Sequence, residues 1–212
     1  MLGESLGSWK IDVEEYKMTI SGMSLGKRLT LSFALVITLM ALLAGLAYVR
    51  IGDLNGEFDL IIKDRYPKTA VANNIKAQIN EISRSMLGIM IMSDPGQIKA
   101  ELDAIEKFSI ANSESIATLD KIITDEKGRE LLTAITEIRN RFLPLQQSFV
   151  SLVSKDLKDE AQLKYLFSMR PLQKKYFDAL DAFVAHQNGQ MESAGDNSSQ
   201  IARQTKLLIL AL

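Results

Sequence analysis

The chain has 212 residues, a formal net charge of −1 and no cysteine, which excludes disulfides and thiolate metal sites and leaves no basic footprint for nucleic acid. It has a single histidine, His186, and no Glu-x-x-His motif, so neither a di-iron bundle nor a haem site is expected, and no cofactor. Only 4 prolines and no β-type alternation predict an all-α fold: an antiparallel up-down four-helix bundle with long first and fourth helices, flanked by transmembrane helices.

Residues 1–28 read as a cytoplasmic tail. They mix Lys10, Asp12, Glu14, Glu15 and Lys17 with little periodicity, and Met18 or Met23 would serve as an alternative start. Residues 29–49, LTLSFALVITLMALLAGLAYV, carry no charge and no proline. At ~1.5 Å per residue the segment spans roughly 30 Å, the hydrocarbon thickness of a bilayer. Leu29–Val49 is therefore expected to sit in membrane lipid as the first transmembrane helix. The competing reading is a cleaved secretory signal ending near Gly45-Leu46-Ala47, but signal cores run only ~7–15 apolar residues. Lys27 and Arg28 favour a cytoplasmic N-terminus, against Arg50, Lys63 and Arg65 on the other side.

Residues 50–206 form a domain expected to be looped out between two membrane segments, a placement suited to sensing something outside and reporting it inside. From Arg50 a helical pattern runs to about Met92, with a bend or restart at Pro67. Beyond it Val71, Ile75, Ile79, Ile82, Met86 and Ile89 make one apolar stripe. Ser93-Asp94-Pro95-Gly96 ends this helix and starts the second, about 97–124, whose stripe is Ile98, Leu102, Ile105, Ser109, Asn112, Ile116, Leu119 and Ile123. Asp125 caps the third helix, about 126–154, with Glu126 in its first turn. Leu131, Ile135, Ile138, Phe142, Leu145, Phe149 and Leu152 are its a/d series, and Pro144 is expected to kink it. The fourth helix begins near Asp159 with the stripe Leu163, Leu166, Arg170, Gln173, Phe177, Leu180 and Val184. Asn188–Gln200 is Gly- and Ser-rich and weakly helical. Residues 207–212 are all apolar and read as the start of a second membrane helix.

Folding the chain antiparallel about turns near residues 95, 125 and 157 collects one polar layer. It contains Gln78, Ser109, Asn112, Arg139, Arg141, Arg170, Gln173 and Tyr176. Arg139 and Arg141 flank the third stripe, about 80° either side of its centre. The layer holds several cations and no matching carboxylate, and buried unpaired charge would cost several kcal/mol. An anionic ligand held bidentately by arginine would offset that cost. The bland alternative is arginines that snorkel to water and polar residues that set register. Arg84 points away from the apolar stripe of the first helix, on a face with Asn73, Ala77, Asn80, Leu87 and Ile91. That face suits packing against a second copy, with Arg84 at a dimer seam. No nucleophile elbow or phosphate loop is present, and the chain is not expected to be an enzyme.

Asp64-Arg65-Tyr66-Pro67-Lys68, Ala72-Asn73-Asn74-Ile75 and Ile79-Asn80-Glu81-Ile82-Ser83-Arg84-Ser85-Met86 resemble the sensor domain of bacterial methyl-accepting chemotaxis proteins. So do Glu126-Lys127-Gly128-Arg129, Pro144-Leu145-Gln146-Gln147 and Met169-Arg170-Pro171-Leu172-Gln173. The resemblance covers about residues 24–212. It implies an inner-membrane homodimer with a periplasmic sensor, and a HAMP linker, methylated helices and a kinase- or adaptor-contacting tip beyond residue 212. Members that bind small carboxylates use arginines on helices one and three and polar groups on helices two and four. Carried over by position, these are Arg84, Ser109, Asn112, Arg139 and Tyr176; Phe142 stands where a tyrosine hydroxyl would help. The expected ligand is a small organic acid. The alternatives are a ligand-free dimerisation or docking module for a periplasmic protein, or the sensor of a histidine kinase or diguanylate cyclase.

Overall fold

A computed structural model of the chain describes residues 24–211; the tail up to Met23 lies outside the described residues. These residues form two compact units. One takes the described residues up to Gly52 with those from Arg203 on, the other Asp53–Ala202.

The first unit takes α1 (Leu25–Asp59) as far as Gly52; the helix begins just ahead of the apolar run and none of its residues is buried. The helical stretch Leu25–Ile91 reaches a mean hydropathy of 2.4 in its most apolar window. Among the described residues it is the one stretch long and apolar enough to cross a membrane, and it does so by length and composition only.

The second unit is an all-α four-helix bundle. A π-helical turn, Leu60–Arg65, leads into α2 (Tyr66–Ile91). Then follow α3 (Pro95–Ile122), α4 (Glu126–Ser154) and the short α5 (Lys158–Lys164). A second π-turn, Tyr165–Met169, joins α5 to α6 (Arg170–Ala211). We call the end where Asp53 enters and Ala202 leaves the base, and the end with the turns after α2 and α4 the far end.

The bend expected at Pro67 is a π-turn instead, and Pro171 has the same device. Proline brings no N–H and its ring crowds the carbonyl four residues back. A turn of i→i+5 bonds just before it, Tyr66 N–H to the Ile61 carbonyl and Arg170 N–H to the Tyr165 carbonyl, keeps the helix going. Pro144 sits inside α4, which continues through it as α-helix. The Gly- and Ser-rich segment 188–200 is likewise part of unbroken α6.

The turns that start α3 and α4 are each capped by an aspartate, the second as the sequence predicts. Asp94 accepts a hydrogen bond from Gln97 N–H and Asp125 from Gly128 N–H, each at 2.8 Å. Gly128 is obligatory for a packing reason. A Cβ there would lie 2.6 Å from Asp125 Oδ2 and 3.0 Å from Ile123 Cγ2. Gly128→Ala is expected to destabilise the chain by about 1–3 kcal/mol, as an overpacked site does. Thermal unfolding in detergent checks this, and an unchanged midpoint would contradict it.

The core has two halves. Near the base Ile75, Ile79, Leu119, Ile135, Tyr176 and Phe183 pack together. Toward the far end Met86, Ile89, Ile105, Phe149, Tyr165 and Met169 do so. The stripes of α2 and α3 are as expected, but those of α4 and α6 are rotated. In α4 the buried positions are Leu132, Ile135, Phe142, Gln146, Phe149 and Val153, while Leu131, Ile138, Leu145 and Leu152 are only partly buried. In α5–α6 they are Ala161, Tyr165, Met169, Leu172, Tyr176, Leu180 and Phe183, while Leu163 is 56% exposed.

Candidate functional site

The rotation of α4 and α6 decides what the polar layer contains. On α4 it brings Arg139 from the flank to the seam, in step with Leu132 and Gln146, so its side chain is half-buried. It leaves Arg141 exposed. On α6 it turns Tyr176 fully inward, 1% exposed, and Arg170 out to solvent. Arg141 and Arg170 therefore do not belong to the layer. Gln173 and Ser109 are partly buried at its margins. Arg84 lies on the outer face of α2, paired with Glu81 one turn earlier.

What remains joins α2, α3, α4 and α6. Asn112 is buried on α3. Its Oδ1 accepts from the Tyr176 hydroxyl at 3.3 Å, and its Nδ2 makes a long 3.5 Å contact to the Ile75 carbonyl. The Tyr176 ring meets Phe142 edge-on, centroids 6.2 Å apart. Burial pushes the Tyr176 phenol well above its ordinary pKa, against the nearby Arg139 charge and the bond to Asn112, so it stays protonated and donates. Tyr176→Phe would orphan the buried Asn112 Oδ1 and is expected to cost about 1–2 kcal/mol. Denaturant unfolding of the two proteins measures it, and equal stability would contradict the bond.

One residue on, Ser113 turns from the core toward α4, where its hydroxyl accepts a hydrogen bond from Arg139 Nη2. The Arg139 Nε is buried without a hydrogen-bond partner. Gln78 Nε2 donates to Ser115 Oγ at 3.1 Å, also between neighbouring helices. Ser113 and Arg139 stand at one end of a groove of about 530 Å³ between α3 and α4. Its floor is Ile116 and Leu132, and its far wall is the Arg129–Asp120 ion pair at 2.9 Å. Sequence reasoning missed Ser113, because hydroxyls beside a seam carry no periodic signal.

The base holds a second polar cluster. His186 Nε2 lies 2.8 Å from Asp125 Oδ1, tying α6 to the turn that starts α4. Lys68 is fully buried and pairs with Asp64 at 2.7 Å. Burial alone would raise the Asp125 carboxyl, but hydrogen bonds from His186 and Gly128 and the charges on His186 and Lys68 hold it below the ordinary range. A depressed carboxylate stabilises the fold above its unfolded pKa, near ~4, and that contribution is lost as pH falls through the folded value. Acidification from about pH 5 to about pH 3 should therefore lower the unfolding midpoint less in Asp125→Asn than in the parent. Equal losses in the two proteins would contradict this linkage.

Among the described residues no group of three His, Cys, Asp or Glu is placed to hold a metal. The arrangement at Arg139 is suited to bind and orient an anion: a cationic fork, a hydroxyl and an open groove. A family model described as a four helix bundle sensory module for signal transduction matches residues 22–202. No curated protein matches the chain.

Proposed function

The chain belongs to the family of four-helix-bundle sensory modules for signal transduction of methyl-accepting chemotaxis proteins, and from that premise we propose that it is the sensor half of a chemoreceptor. In this reading Leu29–Val49 anchors the chain in the inner membrane, the bundle lies in the periplasm, and two copies associate through the outer face of α2. Exposed Leu87 and Ile91 on that face support the association. The bundle binds a small organic acid, and a cytoplasmic kinase or its adaptor receives the signal.

Arg139 carries the ligand reading. A half-buried guanidinium that donates to the neutral hydroxyl of Ser113, with its Nε unpartnered, is suited to a carboxylate. An acid there would draw α3 and α4 together at Ser113. Asn112, its neighbour, is bonded to Tyr176 on α6, so a displacement of α3 reaches the helix that leaves the bundle. Shifts of about 1–2 Å suffice in such switches. Only a ligand that binds one packing better than the other can drive one.

The test is a chimera of this chain and the signalling half of a characterised receptor, assayed in membranes for kinase output. Organic acids should change the output, and Arg139→Ala should remove the change. Acids that bind without altering kinase activity would sink the signalling claim. A second reading, a ligand-free module that docks a protein, is favoured by Leu163 and Phe167, 56% and 76% exposed near the far end.

A further inference from the structure

We propose that the ligand is a monocarboxylate with a short neutral tail, lying in the outer groove between α3 and α4; this rests on the organic-acid reading above. Four charged residues line the groove: Arg129, Arg139, Asp120 and Glu137. Their formal charges cancel. Arg129 is already engaged by Asp120 at 2.9 Å, which leaves Arg139 as the cation that a carboxylate finds. A second carboxylate further along would meet Asp120 or Glu137 with no cation to spare, and like charges brought together oppose binding.

The body of the groove explains the tail. From Arg139 to Leu132 along α4 is about 10 Å at 1.5 Å per residue, the reach of a chain of a few carbons. Ile116 and Leu132 give an apolar floor, and Thr136 and Ser113 supply hydroxyls near the carboxylate end. A neutral tail, bare or hydroxylated, matches both. Ala117 on the rim is exposed, so a larger side chain there fills the groove without entering the core.

The experiment is calorimetry on the detergent-solubilised chain with three probes: butyrate, 3-hydroxybutyrate and succinate. At least one monocarboxylate is expected to bind about tenfold more tightly than succinate. Ala117→Leu should weaken its binding about tenfold with unchanged helix content. Asp120→Asn, which raises the charge of the lining by one, should narrow the gap to succinate. Succinate binding the parent as tightly as the monocarboxylates, or Ala117→Leu binding as the parent does, would overturn the proposal and leave the organic-acid reading standing. Absence of binding by all three overturns the proposal; absence across a wider panel of organic acids would remove the organic-acid reading as well.

Discussion

Arg139→Ala lowers the affinity for the organic acid about 100-fold or more, while the helix content stays that of the parent. The size follows from what is removed. Truncating one member of a desolvated, charge-assisted pair costs about 2–5 kcal/mol, and 100-fold is about 2.8 kcal/mol. The fold should tolerate the change, because Arg139 is only half-buried and its hydrogen bond goes to Ser113, not to a carboxylate. Arg139→Lys separates charge from geometry. It keeps the cation and loses the fork, so it should bind more weakly than the parent and better than the alanine variant. Calorimetry with circular dichroism on the same samples reads both properties. An alanine variant that binds as the parent does would show that the groove is not the site.

The largest effect on stability is expected at Phe149. It is fully buried on α4 and stacks edge-on against Tyr165, centroids 6.4 Å apart. Tyr165 opens the second π-turn, and burial raises its phenol pKa against the Arg170 charge. Phe149→Ala removes a ring from the far half of the core and leaves a cavity, at a cost of about 3–5 kcal/mol. For a chain of this size that lowers the midpoint by roughly 6–20 °C at 2–4 °C per kcal/mol. Phe149 and Tyr165 both pack in the far half, away from Phe183 and Ile135 in the base half. Hydrogen exchange should therefore quicken most near Tyr165 and Met169. A midpoint within about 2 °C of the parent would contradict this packing.

The fold class was legible because α2 and α3 each offer one continuous apolar stripe. The Asp125 cap was legible for a local reason, a short acceptor preceding free N–H groups, whereas Ser93-Asp94-Pro95-Gly96 marked a boundary without singling out Asp94 as its cap. The registers of α4 and α6 were not. On α4, Leu131 and Leu132, Leu145 and Gln146, and Leu152 and Val153 are adjacent pairs, and either member of each pair gives a heptad. Choosing the leucines at every pair rotated the helix by one residue and hid Arg139 at the flank. On α6 the stripe through Arg170 and Phe177 competed with the one through Met169, Tyr176 and Phe183. The second π-turn also shifts the register of α5 against α6 without changing composition. Pro171 is its local trace in the sequence, as Pro67 is of the first π-turn. Of the candidate site, Asn112, Arg139 and Tyr176 come together, whereas Arg84, Arg141 and Arg170 face solvent. The Asp125–His186 contact joins residues 61 apart in sequence, and no pattern on either helix foretells it.

The most direct test of the sensor account is a thermal-shift screen of the detergent-solubilised chain against small organic acids, with each hit confirmed by calorimetry. The account predicts at least one acid that raises the unfolding midpoint of the parent and leaves that of Arg139→Ala unmoved. A panel in which no acid shifts the midpoint, even at millimolar concentration, would contradict it.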